Sequence, residues 1–561
     1  MDAPQNPLSK IKDKLAQMRR EAEERDAKRR AEKTKFSYAD LSTTSINIEA
    51  LSLIPEEDAK KAKLAAIEFK EKKIALAVFD SENAETKKII EKLKSEGYSL
   101  SIFTVSLSGL NHVWSFYKFV FKKPENITGR VRIEEKKLVE LKDSLISLKS
   151  INGAIAELNK KAGYTGEILE AVLAGALSMG ASDIHFEPSE RTAKIRLRMD
   201  GLLYDIFNNL KPKTHGSIVS RIKLLSRLKI NVDDQAQDGR FTISLSNKEI
   251  EIRTSINPSE FGETVVLRIL DPDSIHMGLP QLGFRKDDLK IVEKELSKPN
   301  GMILNTGPTG SGKTTTLYAF LQHTQKPESK IITIEDPIEY HLEGIEQTQV
   351  EPGSGYTFSN GLRSLLRQDP DMILIGEIRD LETAEIAIHA SLTGHLVFST
   401  LHTNDASGAI PRMIDLGVKT SVLAPAMNLV IAQRLIRKLC ENCKVEKKID
   451  AELESKIKNF IEKLPARVDK DFYKPSIKIF ETKGCEKCNN LGYKGRVGVF
   501  ELLLVDGEME LLIGKDPTEI GVKELAAKKG MVIMQQDGIL KAISGITTFD
   551  EVEKVTGAIE W

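Results

Sequence analysis

Gly301-Met-Ile-Leu-Asn-Thr-Gly307-Pro-Thr-Gly-Ser-Gly312-Lys313-Thr314-Thr-Thr-Leu-Tyr-Ala-Phe320 is the stretch on which the fold turns. Met302 to Leu304 predicts a short apolar strand, the glycines at 307, 310 and 312 predict a turn, and Lys313 opens a predicted helix. Glycine takes positive φ without a Cβ clash, so successive N–H groups in such a turn converge, and the helix N-terminus adds its dipole. Phosphate is the ligand this suits. The spacing is G-x-x-x-x-G-K-[ST], which makes Gly307, Pro308, Thr309, Gly310, Ser311, Gly312, Lys313, Thr314 and Thr315 the candidate cradle for ATP. Lys313 is expected to reach the β- and γ-phosphates, and the Thr314 hydroxyl to ligate Mg²⁺.

Downstream, three apolar runs each end in polar residues. Ile331-Ile-Thr-Ile334 leads to Glu335-Asp336-Pro-Ile-Glu339, Met372-Ile-Leu-Ile375 to Gly376-Glu377-Ile-Arg379-Asp380, and Leu396-Val-Phe-Ser399 to Leu401-His402-Thr-Asn404. Such strands belong in an open parallel sheet, whose ligands sit at the carboxyl ends. Glu377 is the candidate carboxylate for Mg²⁺, acting through a bound water, because Gly376 stands where ordinary P-loop enzymes carry Asp. Glu335 is the better candidate to polarise the attacking water. His395 and His402 flank one strand and point to opposite faces if it is continuous, unless a bend near Thr400 intervenes. Either histidine can sense a γ-phosphate; either can equally be satisfied by backbone carbonyls.

Upstream, residues 166–270 hold a second compact unit with Asp183-Ile-His-Phe-Glu187, Lys194-Ile-Arg-Leu-Arg-Met-Asp200-Gly201, Asp238-Gly-Arg240-Phe, Glu249-Ile-Glu-Ile-Arg253 and Thr264-Val-Val-Leu-Arg268. Alternating strand patterns place arginines at the polar positions, a face suited to an anion. Residues 36–123 read as a small α/β unit with one βαβ element: strand Ile74 to Phe79, helix Ala84 to Ser95 ended by Gly97, strand Tyr98 to Val105. It carries no catalytic constellation, which leaves docking as its expected use. Residues 124–165 read as a linker with a lysine-rich helix from about 130 to 148. Residues 1–35 read as a basic leader, solvated or disordered, with Leu8, Ile11, Leu15, Met18 and Ala22 at helical spacing for a membrane or partner helix.

At 561 residues the chain exceeds one hydrophobic core. Lys+Arg and Asp+Glu both number 82, so net charge supplies no pull toward nucleic acid or membrane. Neither an apolar run of about 18 residues nor a signal-peptide core occurs, which predicts a cytoplasmic protein. All four cysteines fall in two C-x-x-C knuckles, Cys440/Cys443 and Cys485/Cys488, the donor set of a closed, structural Zn²⁺ site. Paired free thiols are the alternative.

Together these features resemble the secretion-type traffic ATPases, and within them the type IV pilus assembly and type II secretion ATPases. The residues that carry the resemblance are Gly180-Ala-Ser-Asp-Ile-His-Phe-Glu-Pro188, Arg198-Met-Asp-Gly201, the 307–314 loop, Thr333 to Tyr340, and Arg367 to Asp380. Thr393-Gly-His to Ala406, Ala432-Gln-Arg-Leu435 and both knuckles complete them. The resemblance implies an α/β architecture: a RecA-like P-loop domain (276–430), a preceding smaller α+β, PAS-like domain (166–275), the N-terminal α/β docking domain, a tetracysteine zinc region (431–505) and a C-terminal helical region (506–561). It further implies a homohexamer at the cytoplasmic face of the inner membrane, moving a platform protein and held by a docking protein. Arg240, Arg253 and Arg268 resemble the arginines that contact nucleotide phosphates, and Glu335, Glu377, His395 and His402 match the acidic and histidine boxes. The knuckles and N-terminal unit resemble assembly rather than retraction ATPases. No paired Arg-Leu-Gly repeats are present, so cyclic di-GMP is not expected. A nucleic-acid translocase is the alternative, disfavoured by neutral charge and the lack of an aromatic-basic stripe.

Overall fold

The computed structural model describes residues 7–34, 36–41, 44, 46–70, 72–119, 130–131, 140–142, 144–161, 163–245, 248–272, 277–473, 477–515 and 517–561. The chain divides into two units, Met1–Ile269 and Leu270–Trp561.

In the first unit, β1 (Ser37–Tyr38), β2 (Leu64–Lys70), β3 (Lys73–Val78) and β4 (Ser99–Thr104) form a four-stranded sheet in the order β1-β4-β3-β2. β3 and β4 run parallel, joined by the helix Ala84–Ser95. Asn83 caps that helix by accepting from Glu85 N at 2.9 Å, and Gly97 ends it at φ +87°. Leu64, Ile74, Leu76, Leu110 and Val113 form the core.

The leader expected to be solvated is a helix, Pro7–Thr34, whose second half is docked on this sheet. Tyr38 Oη donates to Glu24 at 2.7 Å, Ser108 N to Glu23 at 3.1 Å, and Arg30 to the carbonyls of Phe79 and, at 3.2 Å, Val105. Ala27 and Ala31 are buried between them, whereas Met18 is exposed. The docked stripe is therefore 23, 24, 27, 30 and 31, built from charges and alanines at helical spacing. The apolar stripe falls on another face, where Met18 is exposed; the side chains of Leu8, Ile11 and Leu15 lie outside the described ones.

A seven-stranded sheet follows, with β5 (Arg130–Val131), β6 (Asp183–Pro188), β7 (Ala193–Met199), β8 (Leu202–Leu210), β9 (Gln237–Ser244), β10 (Glu249–Ser259) and β11 (Gly262–Leu270) in the order β5-β9-β10-β11-β6-β7-β8. Arg130 and Val131 pair with β9 rather than starting the expected lysine-rich helix, of which residues 132–139 lie outside the described residues. Alternation sends Ile184, Phe186, Ile195, Leu197, Phe241, Ile252 and Leu267 into the core.

The second unit contains β12 (Gly301–Thr306), β13 (Ile331–Glu335), β14 (Glu346–Gln349), β15 (Met372–Ile375), β16 (Leu396–Leu401), β17 (Met427–Leu439), β18 (Lys444–Lys447), β19 (Ile479–Thr482) and β20 (Tyr493–Leu504). Seven of them form one sheet, β14-β13-β15-β16-β12-β17-β20, parallel except that β20 runs antiparallel to β17. Both faces are covered: Met302 and Leu304 belong to one core cluster and Ile303 to the other. That is why β12, β15 and β16 contain continuous apolar runs, Met302–Leu304, Met372–Ile375 and Leu396–Phe398.

The boundary expected at 430 falls inside β17. That strand and β20, assigned above to the zinc region, are strands of this sheet, whereas β18 and β19 form a separate two-stranded one. The helix Met534–Ile543 is tied back to the start of the unit by buried charges: Arg285 pairs with Asp537 at 3.0 Å and Asp288 at 2.7 Å.

Candidate nucleotide site and cysteine cluster

β12 delivers the glycine loop to the carboxyl edge of the parallel sheet, and the helix Lys313–Thr324 leaves it. Gly307, Gly310 and Gly312 take φ of +148°, +79° and +90°. A Cβ on Gly307 would lie 2.5 Å from the backbone oxygen of Gln433, so that position also demands glycine for space, and one on Gly312 would press on the Gln433 amide at 2.9 Å. Lys313 Nζ donates to Gly307 O at 2.8 Å and Pro308 O at 3.2 Å. Burial lowers its pKa from the ordinary lysine value, an effect the nearby Glu377 charge opposes. Ser311 Oγ is buried in the loop with no hydrogen-bond partner among the described residues, as a donor meant for a phosphate would be.

The neighbouring strands bring their polar ends to the same edge. Glu377 follows β15, pairs with Arg379, and lies 3.3 Å from His402 Nε2, which follows β16. Arg379 also reaches Asp336 at 3.4 Å. The histidine-box loop is pinned to the end of β12, since Thr403 N donates to Thr306 Oγ1 at 2.9 Å. Lys313, Glu377 and His402 thus gather around one loop, with Thr314 in the first turn of its helix; hydroxyl and carboxylate oxygens are the donor set Mg²⁺ prefers.

Two candidates differ from expectation. His395 precedes β16 and so lies at the opposite edge of the sheet, roughly 20 Å along a six-residue strand from His402. Its Nδ1 lies 3.0 Å from Ala390 O, the backbone-satisfied arrangement. Glu335 reaches the correct edge but is buried, not open to solvent. It accepts from Thr333 Oγ1 at 2.5 Å, from Gln347 Nε2 at 3.2 Å and from Tyr318 Oη. Burial raises its pKa above the usual carboxylate value in spite of those three donors.

Residues the motif reading left without roles also shape the site. Gln433 Oε1 accepts from Asn305 Nδ2 and Thr316 Oγ1, both at 2.9 Å. Glu501, on β20, accepts from Ala406 N at 3.0 Å and so holds the far end of the histidine-box loop. The Ala432-Gln-Arg-Leu435 string was the only signal for Gln433, and nothing in the local sequence marked Glu501.

In the first unit, Arg253 and Arg240 are directly paired across β10 and β9, and Glu251 lies 3.4 Å from each. Arg268 Nε is 3.1 Å from Asp183, which also holds Arg198 at 3.5 Å. The three arginines share the polar face of this sheet, opposite its buried side chains.

The four cysteine sulfurs lie within 4.8 Å of one another. Cys440–Cys485, Cys443–Cys488 and Cys485–Cys488 are 3.9, 3.7 and 3.8 Å apart. A tetrahedron with Zn–S bonds of about 2.3 Å has edges of about 3.8 Å, so the cluster has the dimensions of a Zn(Cys)₄ site.

A glycine cradle at the carboxyl edge of a parallel sheet, with lysine, carboxylate and imidazole around it, defines a RecA-like P-loop ATPase. A family model described as "Type II/IV secretion system protein" matches residues 159–554, and the chain belongs to that family. It is 44% identical over 391 residues to type II secretion system protein E of Dickeya dadantii, covering 69% of this chain and 75% of that one. It is 42% identical over 395 residues to the type IV pilus assembly ATPase PilB of Pseudomonas aeruginosa, covering 69% and 66%. The X-ray structure of the Legionella pneumophila ATPase DotB shares the fold, with a TM-score of 0.52 at 22% identity over 71% of this chain and 98% of that one. Among the described residues no helix is long and apolar enough to cross a membrane.

Proposed function

We propose that this ATPase works as a homohexamer at the cytoplasmic face of the inner membrane and drives assembly of a type IV pilus or a type II secretion pseudopilus. The observation that carries the enzymatic part is the convergence of Lys313, Glu377 and His402 on the 307–314 loop. Its relatives among pilus assembly and type II secretion proteins support the machine. Loop N–H groups and Ser311 bind the phosphates, and Lys313 leaves its two loop carbonyls to meet the β- and γ-oxygens. Bound Mg²⁺, held by Thr314 and by Glu377 through water, would neutralise charge between those phosphates. Glu335 orients the attacking water and His402 reports on the γ-phosphate. Arg240, Arg253 and Arg268, from this or a neighbouring subunit, bind the phosphate charge and convert its loss into domain rotation against a membrane platform protein, while the N-terminal unit engages a docking protein. Cys440, Cys443, Cys485 and Cys488 hold a structural Zn²⁺.

Purified Lys313→Ala protein is expected to lose ATP hydrolysis by about 100-fold or more, and cells carrying it to lack surface fibres or secretion. Wild-type turnover in that variant would end the enzymatic reading. Full turnover with no change in pili, secretion or oligomeric mass across nucleotide states would end the assembly reading and leave the ATPase standing.

A further inference from the structure

Gln433 comes from β17, remote in sequence from the glycine loop, yet it is the side chain around which the loop is closed. It is 2% exposed, among the few uncharged polar groups buried behind a phosphate cradle. Its Oε1 takes one hydrogen bond from Asn305, the second-to-last residue of β12, and one from Thr316, in the first turn of the helix after the loop, both at 2.9 Å. One oxygen atom therefore joins the chain entering the cradle to the chain leaving it. The backbone oxygen and Nε2 of the same residue fill the space that side chains at 307 and 312 would need. β17 pairs with β12 as far as Thr306–Ala432, so Gln433 is the first residue past the ladder, beside Gly307.

From this we infer that Gln433 is a positioning residue for the triphosphate: its neutral amide sets the width of the cradle from behind. The inference rests on the reading of Gly307–Thr314 as the phosphate site. Neutrality is part of the design. A carboxylate would keep the acceptor for Asn305 and Thr316 while adding a negative charge close to the bound phosphates, and an aliphatic side chain would leave two buried donors without a partner.

The test uses the full chain with Gln433→Glu, Gln433→Leu and, as a control, Lys313→Ala. Four quantities are read: KM and kcat for ATP with Mg²⁺, affinity for a fluorescent ADP analogue, the melting temperature of ligand-free protein, and amide exchange over residues 306–313. Gln433→Glu is expected to raise KM about tenfold and weaken the ADP analogue similarly, with kcat within about threefold of wild type, and to do so out of proportion to its fall in ligand-free melting temperature: Gln433→Leu is expected to melt at least as low with a smaller rise in KM. Gln433→Leu is expected to speed exchange in 306–313 while β13 and β15 keep wild-type protection. A purely structural role would lower the melting temperature in step with any change in KM, so that result overturns the inference. So does wild-type KM in Gln433→Glu, or unaltered loop exchange in Gln433→Leu. The control separates the two readings: if Lys313→Ala also binds the analogue like wild type, the phosphate site itself is misplaced, whereas if Lys313→Ala loses binding and Gln433→Glu does not, only the role of Gln433 falls.

Discussion

Replacing one thiolate of the cysteine cluster, Cys488→Ser, probes the C-terminal region at its tightest point. Cys488 is buried, its sulfur is 3.7 Å from Cys443 and 3.8 Å from Cys485, and it accepts from the backbone N–H of Gly492 and Cys485, both at 3.3 Å. Structural zinc sites bind with about 10–16 kcal/mol, so one of four equivalent ligands accounts for about 2.5–4 kcal/mol, a loss of roughly 100- to 1000-fold in affinity. The damage is expected to stay local. Ile457, Phe460 and Ile461 pack with Ile539, Leu540 and Val552 in a core that contains none of the cysteines. The segments that depend on the cluster are the end of β17 and the start of β20, where Cys440 N donates to Gly492 O at 3.0 Å, and the short β18–β19 pair. Elemental analysis is expected to find about one Zn²⁺ per wild-type chain. A chromogenic chelator is expected to strip Cys488→Ser far faster, and amide exchange to rise in 439–447 and 479–493 while β12 to β16 keep their protection. Metal-free wild-type protein with that region fully protected, or equal zinc release from both proteins, would refute the assignment.

Three further outcomes follow from single contacts. Burial raises the pKa of Glu335 above its ordinary 4.5, so the folded state holds that proton more tightly than the unfolded state, and the carboxylate costs stability increasingly as pH rises from 4.5 through the raised value. Glu335→Gln is therefore expected to melt no lower than wild type at pH 7.5, with the difference shrinking toward pH 4.5, while losing hydrolysis; a variant that melts lower at pH 7.5 would show the ionised form to be stabilising. His402→Ala is expected to reduce ATP turnover and His395→Ala to change it by less than about twofold; equal losses would contradict the placement of His395 at the far edge of the sheet. Arg30→Ala removes two hydrogen bonds to strand-end carbonyls and a guanidinium stacked 4.1 Å from the Phe79 ring, about 2 kcal/mol in all, and is expected to expose the leader helix to limited proteolysis; an unchanged cleavage pattern would mean the leader is held by something else.

What could be read in advance follows from where each signal resides. β12, β13, β15 and β16 are buried on both faces and so each carries a short apolar run, with polar residues mainly toward the carboxyl end; their ends and the glycine loop were legible to within a residue or two. β14, Glu-Gln-Thr-Gln, was not, because an edge strand needs only a backbone partner and its side chains carry no apolar pattern. Glu377 and His402 were legible because they directly follow apolar strands. The closed environment of Glu335 was not, since Tyr318 and Gln347 come from other elements and join its strand neighbour Thr333 around it only when the sheet is assembled. The leader failed for a different reason. Its docking face is Glu, Ala and Arg, and hydrogen bonding rather than apolar burial holds it, so hydropathy alone selects the opposite stripe.

The cysteine region had seemed a separate module, and the strand that carries it shows why it is not. β17 begins among the apolar core, passes Gln433 behind the glycine loop and ends at Leu439, one residue before Cys440. Its partner β20 runs from Tyr493, just past Cys488, back to Glu501, which holds Ala406 of the histidine-box loop. The register sets Ala432 opposite Glu501 and Leu439 opposite Tyr493, so the two braces of the nucleotide site lie in the first half of a single ladder and the sulfur cluster just past its last pair. A two-stranded ribbon frays from its ends, whereas the register of strands with buried faces is strongly specified. The four sulfurs gather just past the far end of that ladder, while Gln433 and Glu501 are held by contacts of their own: Gln433 by Asn305 and Thr316, Glu501 by Ala406.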